Sequence, residues 1–187
     1  MKAIFFDFMG VLMFPKSRHA ADETVDAIDT IVGRVTDDAE FKRSMQASYH
    51  LDEAAFQSII ARIVDKYEPY PPLWELLPGL RKSCKLASIN NGTYHTFPGF
   101  DARLKISELF DAFVSSALEG ARKPDRQIYL NACRRLDVQP ADCLFMDDTP
   151  ENIITAQQLG MQTIYWRNRE EGFEKLIEVL KTNHLIG

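Results

Sequence analysis

Hydrophobic residues cluster in five short runs along this chain: "KAIFF", "KLASI", "AFVSS", "CLFMD" and "QTIYW". Each is bounded by turn or helix signals and reads as a strand. None shows clean in-and-out alternation, as expected of parallel strands covered by helices on both faces. Helical patterns separate the later runs, at about residues 101 to 110, 125 to 136 and 150 to 159, the last stopping at Gly160. A final helix is expected near 171 to 182. This alternation predicts an α/β fold with an open, doubly wound parallel sheet, whose ligands bind at the carboxyl ends of the strands.

One segment breaks the alternation. From about 16 to 72 there is no strand candidate. Three helical faces appear instead, carried by Val25, Ile28, Ile31 and Val32, by Phe41 and Met45, and by Phe56, Ile59, Ile60, Ile63 and Val64. "YEPYPPLW" then reads as a semi-rigid return to the sheet. The expected organisation is an α/β core of residues 1–15 and 73–187 with a small helical cap, 16–72, inserted after the first strand. Tyr67, Tyr70 and Trp74 are expected to pack the cap on the core.

Length and composition narrow the classes. A chain of 187 residues can bury one continuous core. Its 45% hydrophobic and 26% charged content is that of a globular protein, with no apolar window approaching the roughly 18 residues of a membrane span. A net charge of −5 argues against general nucleic-acid binding. Cys84, Cys133 and Cys143 lack any CxxC or histidine partner pattern, so reduced core residues are expected rather than a disulfide framework or zinc site. The start, "MKAIFFDF", lacks the features of a signal peptide, and a cytoplasmic protein is the expectation.

The polar residues supply the chemistry. Asp7, the pair Asn90 and Asn91, Ser115 with Ser116, and Asp147 with Asp148 all follow predicted strands, so a parallel sheet brings them to one edge. Lys123, in "RKPDRQIY", can reach that edge. Three crowded carboxylates repel one another unless a cation sits among them. An all-oxygen donor set matches magnesium better than zinc or copper, and magnesium with a lysine implies a phosphate ligand.

Taken in order, the strand ending in Asp7 with Gly10, the strand ending in two asparagines, "RKPDRQIY" and the strand ending in "DDTPENIITAQQLGM" resemble the haloacid dehalogenase superfamily. The resemblance covers essentially the whole chain and implies a Rossmann-like core, a helical cap and a Mg2+-dependent phosphatase acting on a small phosphorylated metabolite. It makes Asp7 the nucleophile that becomes an aspartyl-phosphate, and Lys123 the cation that steadies nucleophile and phosphoryl group. It further implies metal ligation by Asp7, the backbone carbonyl of Met9 and Asp148, support from Asp147 and Asn152, and phosphate binding by Asn90, Asn91 and Lys123. Small relatives of this kind occur as monomers and homodimers, with no nucleic-acid or membrane partner implied.

Two positions depart from the pattern. Where most such phosphatases carry a second acid, two residues after the nucleophile, this chain has Met9, and a thioether cannot exchange a proton usefully. Where a serine or threonine usually meets the phosphate stands Asn90, with Ser88 as the alternative if the strand ends earlier. The departures keep two other functions open, a non-catalytic phosphate-ligand binding or regulatory module and a 2-haloacid-type dehalogenase. Lys16, Arg18 and His19 near the cap entrance, and Thr93 and His95 beyond the asparagines, are candidates for substrate contact.

Overall fold

The computed structural model describes residues 1–18 and 21–187. Its main sheet is parallel and five-stranded, in the spatial order β5-β4-β1-β6-β7, with β1 Ala3–Phe6, β4 Lys85–Asn90, β5 Ala112–Ser115, β6 Cys143–Asp147 and β7 Gln162–Tyr165. The order reverses between β1 and β6, which places the ligand crevice where these two strands end. All five predicted strands are present, within a residue at either end.

Both faces of the sheet are covered, which explains the unbroken apolar runs. One face carries Ile4, Phe6, Leu86, Leu144 and Met146 into a core shared with α4 Pro71–Leu80 and α10 Arg169–Thr182. The other carries Ala3, Phe5, Ala87, Ile89 and Phe145 against α8 Arg126–Leu136 and α9 Pro150–Gln158. Cys133 and Cys143 are buried and Cys84 half-buried, all as free thiols.

Between β2 Met13–Pro15 and β3 Tyr67–Pro69 lie α1 Glu23–Val32, α2 Asp38–Ser48 and α3 Glu53–Asp65. Each begins at an aspartate, Asp22, Asp37 or Asp52, whose side chain accepts an amide hydrogen of the first turn. Their predicted apolar faces meet in a separate small core containing Ile28, Phe41, Phe56 and Ile60.

Four features differ from the sequence expectations, one at the root of this insert and three after it. Tyr67–Pro69 is a strand, paired antiparallel with Met13–Pro15 as a two-stranded ribbon at the root of the helical insert. Three residues are too short for a periodic signal. The proline-rich segment after it opens helix α4, because Pro71 and Pro72 occupy first-turn positions where no amide hydrogen bond is needed. The helix expected at 101 to 110 is two, α5 Phe97–Leu104 and α6 Ile106–Leu109, broken where Lys105 turns left-handed at φ 56°. A short helix, α7 Ser116–Glu119, follows β5 directly.

Of the aromatic residues expected at the junction, Tyr70 packs edge-on against Phe14, Trp166 and Phe173, and Tyr67 packs against both hydrophobic cores while donating to Asp29 at 2.9 Å; Trp74 instead donates its Nε1 hydrogen to the Leu12 carbonyl at 2.9 Å within the α/β part.

Candidate active site

Strand alternation selects what meets at the carboxyl edge. Continuing from Ala3 and Phe5, Asp7 falls on the α8/α9 side, as do Asn91 beyond Ala87 and Ile89, and Asp147 beyond Cys143 and Phe145. Lys123 enters this side from the loop before α8, and its ammonium lies 2.6 Å from Asp7 Oδ1 and 2.7 Å from Asp147 Oδ2. Only 2% of the lysine is exposed, so this is a desolvated ion cluster rather than a surface pair.

Oxygen atoms of Asp7, Asp147 and Asp148 all lie within 4.8 Å of one another. Asp147 is fully engaged. Its Oδ2 takes Lys123, and its Oδ1 accepts from Thr149 N at 2.8 Å and Asn152 Nδ2 at 2.9 Å. Asp7 Oδ1 accepts from Lys123 and from Phe8 N at 2.7 Å, whereas no donor among the described residues reaches its Oδ2. Among the described residues Asp148 has one weak side-chain partner, the Thr149 hydroxyl at 3.3 Å. The Met9 carbonyl accepts no hydrogen bond among the described residues. Open lone pairs are therefore concentrated on Asp7, Asp148 and the Met9 backbone.

Electrostatics agree with an uncompensated site. The Asp7 pKa is raised to about 7, chiefly by burial and further by the charges of Asp147 and Asp148, against the lowering pull of Lys123. Burial and then the Asp147 charge raise Asp148 as well. Burial opposes the charge of Lys123, but Asp147 and Asp7 hold its pKa above the ordinary lysine value. Three acids share one cation, and the donors are all oxygens. The arrangement fits a hard divalent cation such as magnesium, which would relieve the remaining repulsion.

The asparagines divide their work. Asn91 spans the Lys123 backbone, accepting its amide hydrogen at 2.8 Å and donating to its carbonyl at 2.9 Å. Asn90, 5% exposed, has an amide with no hydrogen-bond partner among the described residues. Ser88 lies inside β4 opposite Phe6, fully buried with its hydroxyl unpaired, and is removed from the edge. Ser115 and Ser116 bind backbone: Ser115 donates to the Gly92 carbonyl at 2.6 Å, and Ser116 accepts from Gly92 N at 2.9 Å.

The remaining candidates lie elsewhere. Thr93 and His95 are tied to the helical insert through Asp38, Phe41 and Phe56. Lys16 pairs with Asp65 at 2.8 Å and, with Arg18, lines a separate cleft of about 280 Å³. His19 is outside the described residues.

Thr149 escaped the sequence expectations, because it supplies a backbone donor, which leaves no residue signature. Gly10, which the sequence pattern paired with Asp7, has φ +96°, and a Cβ there would stand 2.2 Å from Asp148 Oδ2.

The sequence pattern of the haloacid dehalogenase-like hydrolases matches residues 1–160. The chain belongs to this family. Among its relatives, a sesquiterpene phosphatase of Aspergillus oryzae is 46% identical over 54 residues, 29% of this chain and 28% of that protein. A flavin mononucleotide hydrolase of Arabidopsis thaliana is 28% identical over 104 residues, 52% of this chain and 42% of that protein. The matched segments thus span less than half the length of either relative. A family enzyme of Bacteroides thetaiotaomicron, solved with magnesium and inorganic phosphate, superposes with a TM-score of 0.69 at 16% identity, covering 87% of this chain and 92% of that one. That likeness is one of fold. Among the described residues, no helix is long and apolar enough to cross a membrane.

Proposed function

We propose that this protein is a magnesium-dependent phosphatase that hydrolyses a small phosphorylated metabolite through an aspartyl-phosphate at Asp7. The observation that carries this reading is the sharing of one buried ammonium, Lys123, between Asp7 and Asp147 at 2.6 and 2.7 Å, with Asp148 completing the acidic cluster. The activities of the fungal and plant relatives support it.

Asp7, the Met9 carbonyl and Asp148 are the groups that would hold Mg2+, supported by Asp147 and Asn152. When bound, the ion neutralises charge on the transferring phosphoryl group and orients it. Lys123 fixes Asp7 through Oδ1 and leaves Oδ2 free to attack phosphorus. The phosphorus–leaving-group bond breaks with its electron pair going to the departing oxygen, and the phosphoryl group passes to Asp7. Attack of water on that phosphorus regenerates the carboxylate and releases inorganic phosphate. The Asn90 amide donates to a phosphate oxygen, and Asn91 acts by fixing Lys123. The insert, residues 16 to 72, is the cap that closes over the substrate.

Met9 removes the side-chain proton donor and acceptor. Such help is typically worth about 10² to 10⁴ in rate, whereas positioning and electrostatic stabilisation dominate phosphoryl transfer. Turnover should therefore favour leaving groups that need little protonation, such as acyl, aryl or anomeric sugar phosphates, over simple alkyl esters. The test is phosphate release from acetyl phosphate, p-nitrophenyl phosphate and an alkyl phosphate, with and without magnesium. Faster release from the activated substrates, dependent on metal, is the expected result; equal rates for aryl and alkyl esters would refute the leaving-group argument. Met9 also favours a second reading, a phosphate-binding module without turnover, which predicts magnesium-dependent phosphate binding with no release from any substrate.

A further inference from the structure

The loop that follows the asparagine pair is held by the cap as well as by the core. Asp37 already caps α2, which leaves Asp38 free to reach across to the core. The Asp38 carboxylate accepts from the Thr93 hydroxyl and from Tyr94 N at 3.0 and 3.1 Å, charge-assisted bonds of the stronger kind. Thr93 is fully buried, and its hydroxyl also accepts from His95 N at 3.2 Å. The His95 ring enters the cap's own core, with ring centroids 5.2 Å from Phe56 and 6.4 Å from Phe41. A second link passes through Ser116, whose hydroxyl accepts from Gly92 N and donates to the carbonyl of Val35 between α1 and α2.

These links continue into the catalytic cluster. Gly92 and Thr93 directly follow Asn90 and Asn91, and Asn91 holds both backbone polar groups of Lys123, whose ammonium holds Asp7. A continuous route of hydrogen bonds and covalent chain, through the Asn91–Thr93 backbone and the Lys123 side chain, therefore runs from Asp38 and Val35 in the cap to the nucleophile. A hydrogen-bonded route transmits an effect only if its anchor has two states, and a cap that must admit substrate has a docked and an undocked one.

We propose that Asp38 is a positioning residue for phosphate: docking of the cap through Asp38–Thr93/Tyr94 and Val35–Ser116 sets Asn90 and, through Asn91, Lys123, so the phosphate subsite is complete only when the cap is docked. The proposal rests on the phosphatase reading, since the docked and undocked states are those of a cap that admits substrate; the exchange measurement tests the coupling of cap to loop separately. The consequence is that the cap affects even substrates too small to touch it.

The experiment compares wild type, Asp38→Ala and Asp38→Asn by amide hydrogen exchange over residues 90 to 95 and 122 to 124, and by binding of inorganic phosphate in the presence of magnesium. In Asp38→Ala, exchange should rise roughly tenfold or more at Gly92 and Tyr94 and extend to the Lys123 amide, with phosphate bound roughly tenfold more weakly. Asp38→Asn keeps an acceptor oxygen and should recover most of both effects. Should Asp38→Ala not fold, Thr93→Val and Ser116→Ala cut the same links from the core side. Faster exchange confined to residues 93 to 95, with the Lys123 amide unchanged, overturns the coupling. An extended exchange effect with unaltered phosphate affinity overturns the positioning role. Wild-type protein that neither binds nor releases phosphate refutes the phosphatase reading, while the exchange result still decides the coupling.

Discussion

The ammonium of Lys123 lies 2.6 Å from the carboxylate of Asp7 in a site where the lysine is 2% exposed, so the lysine charge, which Asp147 and Asp7 together support, opposes the burial that favours protonated Asp7. Replacing Lys123 by methionine would leave Asp7 and Asp147 buried without their cation. Breaking a buried pair on one side typically costs about 3 to 5 kcal/mol. Urea denaturation of Lys123→Met in the absence of metal should show a loss of that order, and turnover should vanish. A change under 1 kcal/mol would mean that the cluster is far more hydrated than its burial indicates.

The Asp7 pKa near 7 makes the stability of metal-free protein depend on pH. In the unfolded chain an aspartate loses its proton near pH 4, at about 3.9. The folded protein keeps that proton until about pH 7. Between these values the native state binds more protons, so stability should fall as pH rises and level off above 7. Asp7→Asn should lose most of this slope, the remainder coming from Asp148, whose pKa burial and the Asp147 charge also raise. For the same reason magnesium must displace a proton below pH 7, and its apparent affinity should drop as the pH is lowered through that value. Denaturation at pH 4.5 to 8 in chelator, and magnesium titrations at pH 6 and 8, check both statements.

Gly10 is where the turn after Asp7 touches the acidic cluster. An alanine there meets a positive φ of 96° and a carboxylate oxygen at 2.2 Å. A substitution that forces a non-glycine residue into such a conformation costs on the order of 1 kcal/mol or more. Gly10→Ala should displace Asp148 and weaken magnesium binding by more than its modest effect on folding. Calorimetric titration beside a melting curve separates the two.

Met9→Asp tests the leaving-group argument by restoring an acid. The expected outcome is a rise of about 10² or more in turnover of simple alkyl phosphates, with much less change for acetyl phosphate. A uniform change across substrates would show that residue 9 acts on binding or metal geometry instead.

Much of this site was legible in the chain because strand-end position is itself information. Asp7, Asn91 and Asp147 meet through the pleat of three strands whose apolar runs are unmistakable, and the loop before α8 had a recognisable start at Lys123 and Pro124. The roles within the asparagine pair were not legible. Residue type says that both can bind a phosphate, and only the tertiary placement shows that the Asn91 amide is consumed by the Lys123 backbone. The ribbon of β2 and β3 was missed because three-residue strands carry no periodicity, and α4 because its prolines look the same in a hinge and in a first helical turn. Asp38 gave no signal, since an aspartate opening a helix is ordinarily a cap. Here Asp37 has that task and Asp38 crosses to the core.

The central claim is that Asp7 carries the phosphoryl group. Rapid acid quench during turnover of acetyl phosphate with magnesium, followed by peptide mass spectrometry, reads this directly. The account predicts a phosphoryl adduct on the peptide containing Asp7, accumulating because Met9 offers no base for its hydrolysis, and absent together with turnover in Asp7→Asn. Sustained magnesium-dependent phosphate release by Asp7→Asn, with no adduct in the wild type, would contradict it.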